Sequence, residues 1–339
     1  MNRARLQSIA ARYPDLRIAV VGDFCLDRYL EIDPAREELS LETGLAVHNV
    51  VRVRGQPGGA GTILNNLVAL GIGRIVPIGF VGQDGEGHEL WKALSLYPGI
   101  ELEYLERTAE RQTFTYCKPL MMTPGQPPKE LNRLDFKNWT PTPAKLRDAL
   151  ISNLKNVAPK INALIVLDQA DVAETGVVTA RMIEELVAIA AKRPAFPILA
   201  DSRRSLANFS NVTLKMNATE LASLMNRNEP LDLDEAKLAA ATLAKRQGRP
   251  AFVTLAESGL VAASPEGTVE HESALPLRSK AIDVVGAGDA VTANLAAALS
   301  AGATLREAIE LANRAASVVI HKLGTTGTAS VAEIAGLLD

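Results

Sequence analysis

Short apolar runs alternate with helical patterns along most of this chain, and this alternation limits the folds that it can adopt. The runs with the length of buried strands lie at 18–21, 75–81, 163–167, 196–200, 212–216 and 251–255. Helical patterns cover 60–70, 142–156, 177–192 and 233–246, and further helices are expected at 287–301, 304–321 and 331–338. Strands that alternate with helices usually form a parallel sheet covered on both faces. The sequence therefore predicts a three-layer, doubly wound α/β fold with a mostly parallel sheet.

Two segments, about 30–56 and 100–136, lack helical periodicity and interrupt the alternation. Within the first, Val47, Val51 and Val53 fall on one side of an extended strand. Alternation of this kind is typical of a strand with one buried face. We therefore expect a small antiparallel β lid outside the α/β core, and a single domain that covers 1–339.

The composition excludes several classes of protein. Hydrophobic residues make up 47% of the chain and aromatic residues only 4%, and the net charge is −3. A base-stacking or basic surface for nucleic acid is therefore not expected. Cys25 and Cys117 are far apart and each histidine stands alone, so neither a disulfide framework nor a zinc site is predicted. The most apolar stretch, 290–301, is too short to cross a bilayer and no leader pattern is visible, so we expect a cytoplasmic protein with no membrane partner.

A glycine-rich turn lies directly before the long, alanine-rich helical pattern of the last third. Its residues are Gly286, Ala287, Gly288 and Asp289. Glycines let a ligand approach the backbone, and the free N–H groups at a helix start favour an anion. A carboxylate beside an anion site would repel the anion, unless it serves as a base for a hydroxyl that attacks a phosphate. The alternative is a plain helix N-terminus capped by Asp, which the local sequence allows equally well.

Acidic residues and glycines also follow predicted strands elsewhere. Asp23 and Asp27 come after the first strand, where side chains of a parallel sheet face the ligand crevice. Gly58 and Gly59 precede a helical pattern, so their backbone can pass close to a substrate. Each pair is also compatible with an ordinary turn.

Several motifs, taken together, resemble the ribokinase-like (PfkB) carbohydrate kinases, most closely the heptose-phosphate kinase branch. They lie in the order of that family at 20–29, 57–61 with Asn66, 133–136, 217–220, 253–254 with 258–259, 283–295 and 322–325. The resemblance covers nearly the whole chain. It implies a ribokinase-like fold and an ATP-dependent enzyme that phosphorylates a hydroxyl of a sugar or sugar phosphate. It also implies Mg²⁺, suggests K⁺, and favours a homodimer formed through the β lid.

The resemblance also implies roles for individual residues. Asp289 is the expected general base, with the backbone of Gly286, Ala287 and Gly288 as an anion hole. The expected substrate contacts are Asp23, Asp27, Gly58, Gly59, Asn66, Lys118 and Arg133, and of the two acidic residues Asp23 is the better candidate. The expected nucleotide contacts are Asn217, Thr254, Ser258, Gly259, Val285, Asn313, Lys322 and Gly324. The expected metal residues are Asp201 and Glu220 for Mg²⁺ and Asp283 for a monovalent cation. Asn217 and Glu220 also have the spacing of a helix capping box.

Positions on the substrate side depart from the heptose-phosphate pattern. Thr62 stands where that branch usually has Asn, and the segments 37–40 and 167–170 differ as well. Because a site that pairs sugar hydroxyls rejects analogues strongly, changed pairing residues predict a changed sugar. We therefore expect a phosphorylated or otherwise anionic acceptor other than the heptose 7-phosphate. A nucleoside kinase and a non-catalytic sugar- or nucleotide-binding sensor are the alternatives; a pure sensor would gain nothing from Asp289.

Overall fold

A nine-stranded sheet organises the fold of the computed structural model, which describes residues 1–229 and 231–338. In chain order the strands are β1 (Arg17–Gly22), β2 (Phe24–Ile32), β3 (Glu38–Leu39), β4 (Ala46–Val47), β5 (Val50–Gly59), β6 (Arg74–Gly82), β7 (Leu105–Thr108), β8 (Phe114–Met121), β9 (Lys129–Glu130), β10 (Leu134–Phe136), β11 (Ala163–Asp168), β12 (Ile198–Ser202), β13 (Thr213–Asn217), β14 (Ala251–Thr254), β15 (Leu260–Ala263) and β16 (Val269–Glu272). The large sheet has the order β16-β15-β14-β13-β12-β11-β1-β6-β7. Its strands run parallel from β14 to β7, and β15 and β16 form an antiparallel edge.

Helices cover both faces of the large sheet. They are α1 (Arg3–Ala10), α2 (Ala60–Leu70), α3 (Gly85–Ser95), α4 (Ala144–Val157), α5 (Ala180–Lys192), α6 (Ala218–Leu224), α7 (Leu233–Gln247), α8 (Ala287–Ser300), α9 (Leu305–Val319) and α10 (Val331–Ala335). Ile18 and Val20 of β1 pack into a core shared with α2, α8 and α9. Ala19 and Val21 pack into a second core shared with α4, α5 and α7. Because successive residues of a strand point to opposite faces, β1 is buried on both sides, and the predicted three-layer fold is confirmed.

A second, smaller sheet forms the lid. Its order is β10-β8-β2-β5, with β9 paired to β8. The pairs β2–β5, β8–β10 and β8–β9 are antiparallel, whereas β2 and β8 run parallel. The lid begins at β2, six residues before the predicted start at 30. Within 100–136, β7 does not join the lid, because it pairs with β6 at the edge of the large sheet.

The chain crosses between the sheets with almost no connecting loop. A single residue, Asp23, separates β1 from β2. The return path is equally short, since β5 ends at Gly59 and α2 begins at Ala60. The N–H of Ala60 donates to the carbonyl of Asp23 over 3.0 Å, which ties the two crossings together. None of the helices in the part of the chain that the structure describes is both long and apolar enough to cross a membrane.

Candidate active site

The turn into α8 provides three unpaired backbone donors. Ala287 donates its N–H to the carbonyl of Val284 over 3.2 Å, so this amide of the predicted anion hole is already occupied. Among the described residues, the N–H groups of Gly286, Gly288 and Asp289 donate no hydrogen bond. The first amides of a helix carry partial positive charge and point away from its N-terminus. These three amides are therefore free to meet an anion, and the anion hole stays a prediction.

Gly286 is the position in this turn that requires glycine. It caps α8 with φ +82° and ψ −4°, a left-handed conformation that disfavours residues with a Cβ. A Cβ on Gly286 would also lie 2.5 Å from Cγ2 of Thr326. Gly288, by contrast, has ordinary helical geometry, and a Cβ there would lie 3.2 Å from Nζ of Lys215. Gly286 is therefore required by the conformation of the turn, whereas the absence of a side chain at Gly288 leaves space in front of Nζ of Lys215.

Asp289 lies beside these amides at the bottom of an open cleft of about 370 Å³. Burial, and then the charge of Asp201, raise the pKa of Asp289 to about 7, although Lys215 acts in the opposite direction. A carboxyl group with a pKa near neutrality can accept a proton efficiently at physiological pH. This is the property required of a general base, and a plain helix cap does not require it.

A buried ion pair lies on the floor of the same cleft. Nζ of Lys215, in the middle of β13, lies 2.7 Å from Oδ2 of Asp201, near the end of β12. The hydroxyl of Thr292, on α8, donates to the same carboxylate oxygen over 3.2 Å. Burial tends to lower the pKa of Lys215, but Asp201, followed by Glu220 and Asp289, raises it above its usual value. Lys215 therefore stays protonated and supplies positive charge among three carboxylates.

The lid contributes a further carboxylate to the cleft. Oδ1 of Asp27, on β2, lies 3.6 Å from Nζ of Lys118 on β8. The hydroxyl of Thr326 donates to Oδ2 of Asp27 over 3.4 Å. Burial raises the pKa of Asp27, and Lys118 partly offsets this effect. A Cβ on Gly58 would come within 2.8 Å of the Asp27 carboxylate, so glycine at this position leaves room for it.

Asp23 has a different environment from Asp27. Its carboxylate accepts main-chain N–H groups from Gln169 at 2.9 Å, Ala170 at 2.8 Å and Val177 at 2.7 Å. Burial raises the pKa of Asp23 to about 6, although these donors lower it. The side chain holds the loop after β11 and does not line the cleft that contains Asp289. Of the two acidic residues after the first strand, the structure therefore places Asp27 at the cleft.

Asn66 is another predicted substrate residue that lies away from the cleft. Its side chain is fully buried, donates to the carbonyl of Thr62 over 3.0 Å and accepts from the N–H of Ala329 over 3.4 Å. These bonds join α2 to the segment before α10. Thr62 itself lines the cleft.

Asn217 and Glu220 form the helix capping box that their spacing allows. The side chain of Asn217 accepts the N–H of Glu220 over 2.9 Å, and Glu220 Oε2 accepts the N–H of Asn217 over 2.8 Å. Glu220 still lines the cleft, and burial raises its pKa. With Asp201 it offers the oxygen donors that Mg²⁺ prefers, directly or through water. These two carboxylates fit the expected magnesium region.

The remaining nucleotide-side residues lie outside the lining of this cleft. Asn313 donates to the carbonyl of Ser273 over 2.6 Å, and Lys322 forms an ion pair of 2.6 Å with Glu333. Asp283 caps its own turn by accepting the N–H of Val285 over 3.0 Å. The residues in this group are Thr254, Ser258, Gly259, Asn217, Asn313, Lys322, Gly324 and Asp283. Their roles, including a monovalent-cation site at Asp283, stay predictions.

The cleft brings together ten of the predicted residues. They are Asp27, Gly59, Lys118, Arg133, Asp201, Glu220, Val285, Gly286, Gly288 and Asp289. It also contains Thr62, Leu167 and Gln169, which the sequence placed among the altered positions of the substrate side. Sequence reasoning did not assign Tyr116, Arg203, Lys215 or Thr326 to a site. Lys215 had a visible signal, because it is a charged residue inside an apolar strand. Thr326 had none, since its contact with Asp27 depends on the packing of distant segments.

Solved structures share this architecture. Ribokinase from Arabidopsis thaliana, complexed with ribose and ATP, matches with a TM-score of 0.69 and 18% identity over 96% of this chain and 99% of that chain. Phosphofructokinase-2 from Escherichia coli, in complex with potassium, matches with a TM-score of 0.71 and 18% identity. The match covers 95% of this chain and 98% of that chain. At these identities the likeness shows the fold alone, which is the ribokinase-like α/β fold.

Sequence comparison gives the family. Residues 16–332 match the pfkB family of carbohydrate kinases, and the chain belongs to that family. Members of this family are phosphotransferases that act on sugar hydroxyls, so the predicted family and class of enzyme are confirmed.

The curated relatives are longer than this chain. The bifunctional protein HldE of Azorhizobium caulinodans is 33% identical over 91% of this chain and 61% of its own length. The protein of the same name from Hyphomonas neptunium is 31% identical over 99% of this chain and 66% of its own length. The chain thus spans less than two thirds of each of these two relatives.

Proposed function

We propose that this protein transfers the γ-phosphoryl group of ATP to a hydroxyl of an anionic sugar, with Asp289 as the general base. The observation that carries the proposal is the position of Asp289. Its carboxyl group has a pKa of about 7 and lies beside the unpaired amides of α8, in the cleft that also contains Asp27 of the lid. A base, an anion site and a hydroxyl acceptor in one cleft are the components that phosphoryl transfer requires.

The reaction follows from this arrangement. Asp27 accepts hydrogen bonds from hydroxyls of the sugar and holds the acceptor below the lid. Asp289 takes the proton of the attacking hydroxyl as its oxygen bonds to the γ-phosphorus of ATP. The bond from the γ-phosphorus to the bridging oxygen breaks, and ADP leaves with the electron pair. The N–H groups of Gly288 and Asp289 stabilise the charge on the transferred phosphoryl group.

Magnesium has a defined place in this proposal. Asp201 and Glu220 would hold it directly or through water, and it would neutralise charge on the nucleotide phosphates.

Three basic side chains in the cleft support an anionic acceptor. They are Lys118 and Arg133 of the lid and Arg203 after β12. Lys118 is mostly buried; burial acts to lower its pKa, but Asp27, Tyr29 and Glu130 together raise it above its usual value. Each already faces a carboxylate: Lys118 lies 3.6 Å from Asp27, Arg133 2.7 Å from Asp135 and Arg203 3.7 Å from Asp171. Because ammonium and guanidinium groups carry several donors, they would still form charge-assisted hydrogen bonds with a phosphate or carboxylate on the sugar.

A panel of acceptors tests this function. ATP turnover should be measured with neutral sugars, sugar phosphates, sugar acids and nucleosides. We expect turnover with a sugar phosphate or sugar acid, and a kcat/KM for the heptose 7-phosphate below about 10⁴ M⁻¹s⁻¹. Efficient use of that heptose phosphate would show that the departures at Thr62 and 167–170 do not change the acceptor. Turnover of a nucleoside alone would identify a nucleoside kinase.

A variant of Lys118 tests whether this lid residue binds the anionic acceptor. Lys118→Met should raise the KM for the anionic acceptor about tenfold and leave the KM for ATP nearly unchanged. Lys155→Met removes a lysine from the exposed surface of α4 and is the matched control. An unchanged acceptor KM in Lys118→Met would exclude this lysine from acceptor binding.

We also propose that the lid mediates a homodimer. Large apolar side chains are exposed on the lid at Val50, Val51, Val53, Leu134 and Phe136, and on the separate hairpin of β3 and β4 at Leu39, Leu41 and Leu45. A patch of this kind on a small sheet is typical of a protein interface. Light scattering at micromolar concentration should give twice the mass of one chain. Val53→Glu should lower this mass, whereas the control Leu238→Glu on α7 should not. A monomeric wild-type protein would contradict the proposal.

A further inference from the structure

Lys215 is a buried lysine for which the proposed reaction has so far no use. Its side chain is only 7% exposed, and it lies on β13 between the buried apolar residues Leu214 and Met216. Burying an ion pair usually costs more free energy than the pair returns. A hydrophobic residue would fill such a position at least as well. The presence of Lys215 therefore calls for an explanation other than stability.

The position of the Lys215 ammonium group indicates a role in the reaction. Nζ would lie 3.2 Å from a Cβ on Gly288, and so it borders the same space as the unpaired amide of that residue. Lys215 lines the cleft together with Gly288 and Asp289. Its bond of 2.7 Å to Asp201, which Thr292 also contacts, fixes the end of the side chain. The ammonium therefore faces the space into which the anion hole opens.

We propose that Lys215 is a catalytic residue that contacts the phosphoryl group during its transfer. This inference rests on the proposed function. Charge in such a reaction spreads over the equatorial oxygens of the phosphoryl group. A fixed ammonium on a buried side chain stabilises that charge more than it would in bulk water. Lys215 stays protonated throughout, while Asp289 takes the proton of the hydroxyl. Asp201 and Thr292 act through Lys215 as positioning residues.

A purely structural role makes a different prediction. If Lys215 only balanced the charge of Asp201, its removal would lower the stability of the fold and affect all ligands equally. A contact with the transferred group should instead matter for mimics of that group and not for the nucleotide alone. Binding measurements can separate the two cases without an acceptor sugar.

The experiment compares the wild-type protein with Lys215→Met by calorimetry. The probes are MgADP alone and MgADP with aluminium fluoride, which mimics the phosphoryl group in transfer. In the wild type, fluoride should tighten MgADP binding at least tenfold. In Lys215→Met this gain should be lost, with MgADP affinity within about threefold of the wild type. Lys237→Met, at an exposed position of α7, is the control and should behave as the wild type.

The outcomes are distinguishable. If Lys215→Met keeps the gain from fluoride, Lys215 does not contact the phosphoryl group and the inference is overturned. If the wild type shows no gain and phosphorylates no acceptor of the panel, the proposed function fails as well. Should Lys215→Met not fold, Lys215→Gln replaces it, because Gln can still donate a hydrogen bond to Asp201 without the charge. The same loss of the fluoride gain is expected for that variant.

Discussion

Asp289→Asn is expected to lower kcat by about 10²–10⁴-fold, with little change in affinity for ATP. Asparagine has nearly the same size and can still occupy the first turn of α8, but it cannot accept the proton of the attacking hydroxyl. The measurement is the steady-state kcat of the purified variant with its best acceptor. Wild-type turnover in Asp289→Asn would rule out Asp289 as the base.

A control variant and the pH dependence of kcat/KM provide two further tests of Asp289. Asp234→Asn makes the same change in the first turn of α7, outside the cleft, and should leave kcat unchanged. In the wild type, the raised pKa of Asp289 of about 7 should appear as a fall in kcat/KM below about pH 7, because the base must be deprotonated. Asp201, Asp27, Lys215 and Arg203 face this carboxyl group and together set the midpoint.

Gly288→Val is expected to lower kcat by at least about 10²-fold, comparable with the loss of one donor from an oxyanion hole. Gly288 has helical geometry, so the strain that a side chain would cause at Gly286 does not arise here. The valine side chain would occupy the space between the N–H of Gly288 and Nζ of Lys215, where the phosphoryl group must enter. Turnover and thermal unfolding should be measured together.

Gly85→Val is the matched control for this prediction. Gly85 is the first residue of α3, and a Cβ there meets no atom within 4 Å. It should retain wild-type activity with a similar small change in stability. An active Gly288→Val protein would place the anion hole elsewhere.

The sequence predicted the core strands well, because each is a continuous apolar run bounded by polar residues or glycine. The run at 163–167 became β11 (Ala163–Asp168), and 196–200 became β12 (Ile198–Ser202) with a shift of two residues. β7 was assigned to the lid, since its short sequence lacks an apolar run and its place at the sheet edge depends on pairing with β6. α3 was not predicted, because glycines at 85 and 87 weaken its pattern; Asp84 caps it by accepting the N–H of Gly87.

Prediction of the site was limited by contacts between distant segments. The turn at 286–289 carries its own glycine and acid pattern, so its position at a helix start could be predicted. The sequence favoured Asp23 over Asp27 as the substrate contact, whereas the structure places Asp27 at the cleft. The difference depends on how the chain bends from one sheet into the other. The cluster of Asp201, Lys215 and Thr292 joins β12, β13 and α8 and is not visible in any single motif.

The direct crossings between the two sheets constrain how the lid can move. Asp23 is held by three main-chain donors, and its carbonyl is bonded to the N–H of Ala60 beside Gly59. Two of the lid strands, β2 and β5, therefore leave the core at one fixed point. A motion of these two strands relative to the core would therefore be hinged at this point. Asp27, four residues from Asp23 along β2, would move less than the parts of β2 and β5 that lie farther from the hinge.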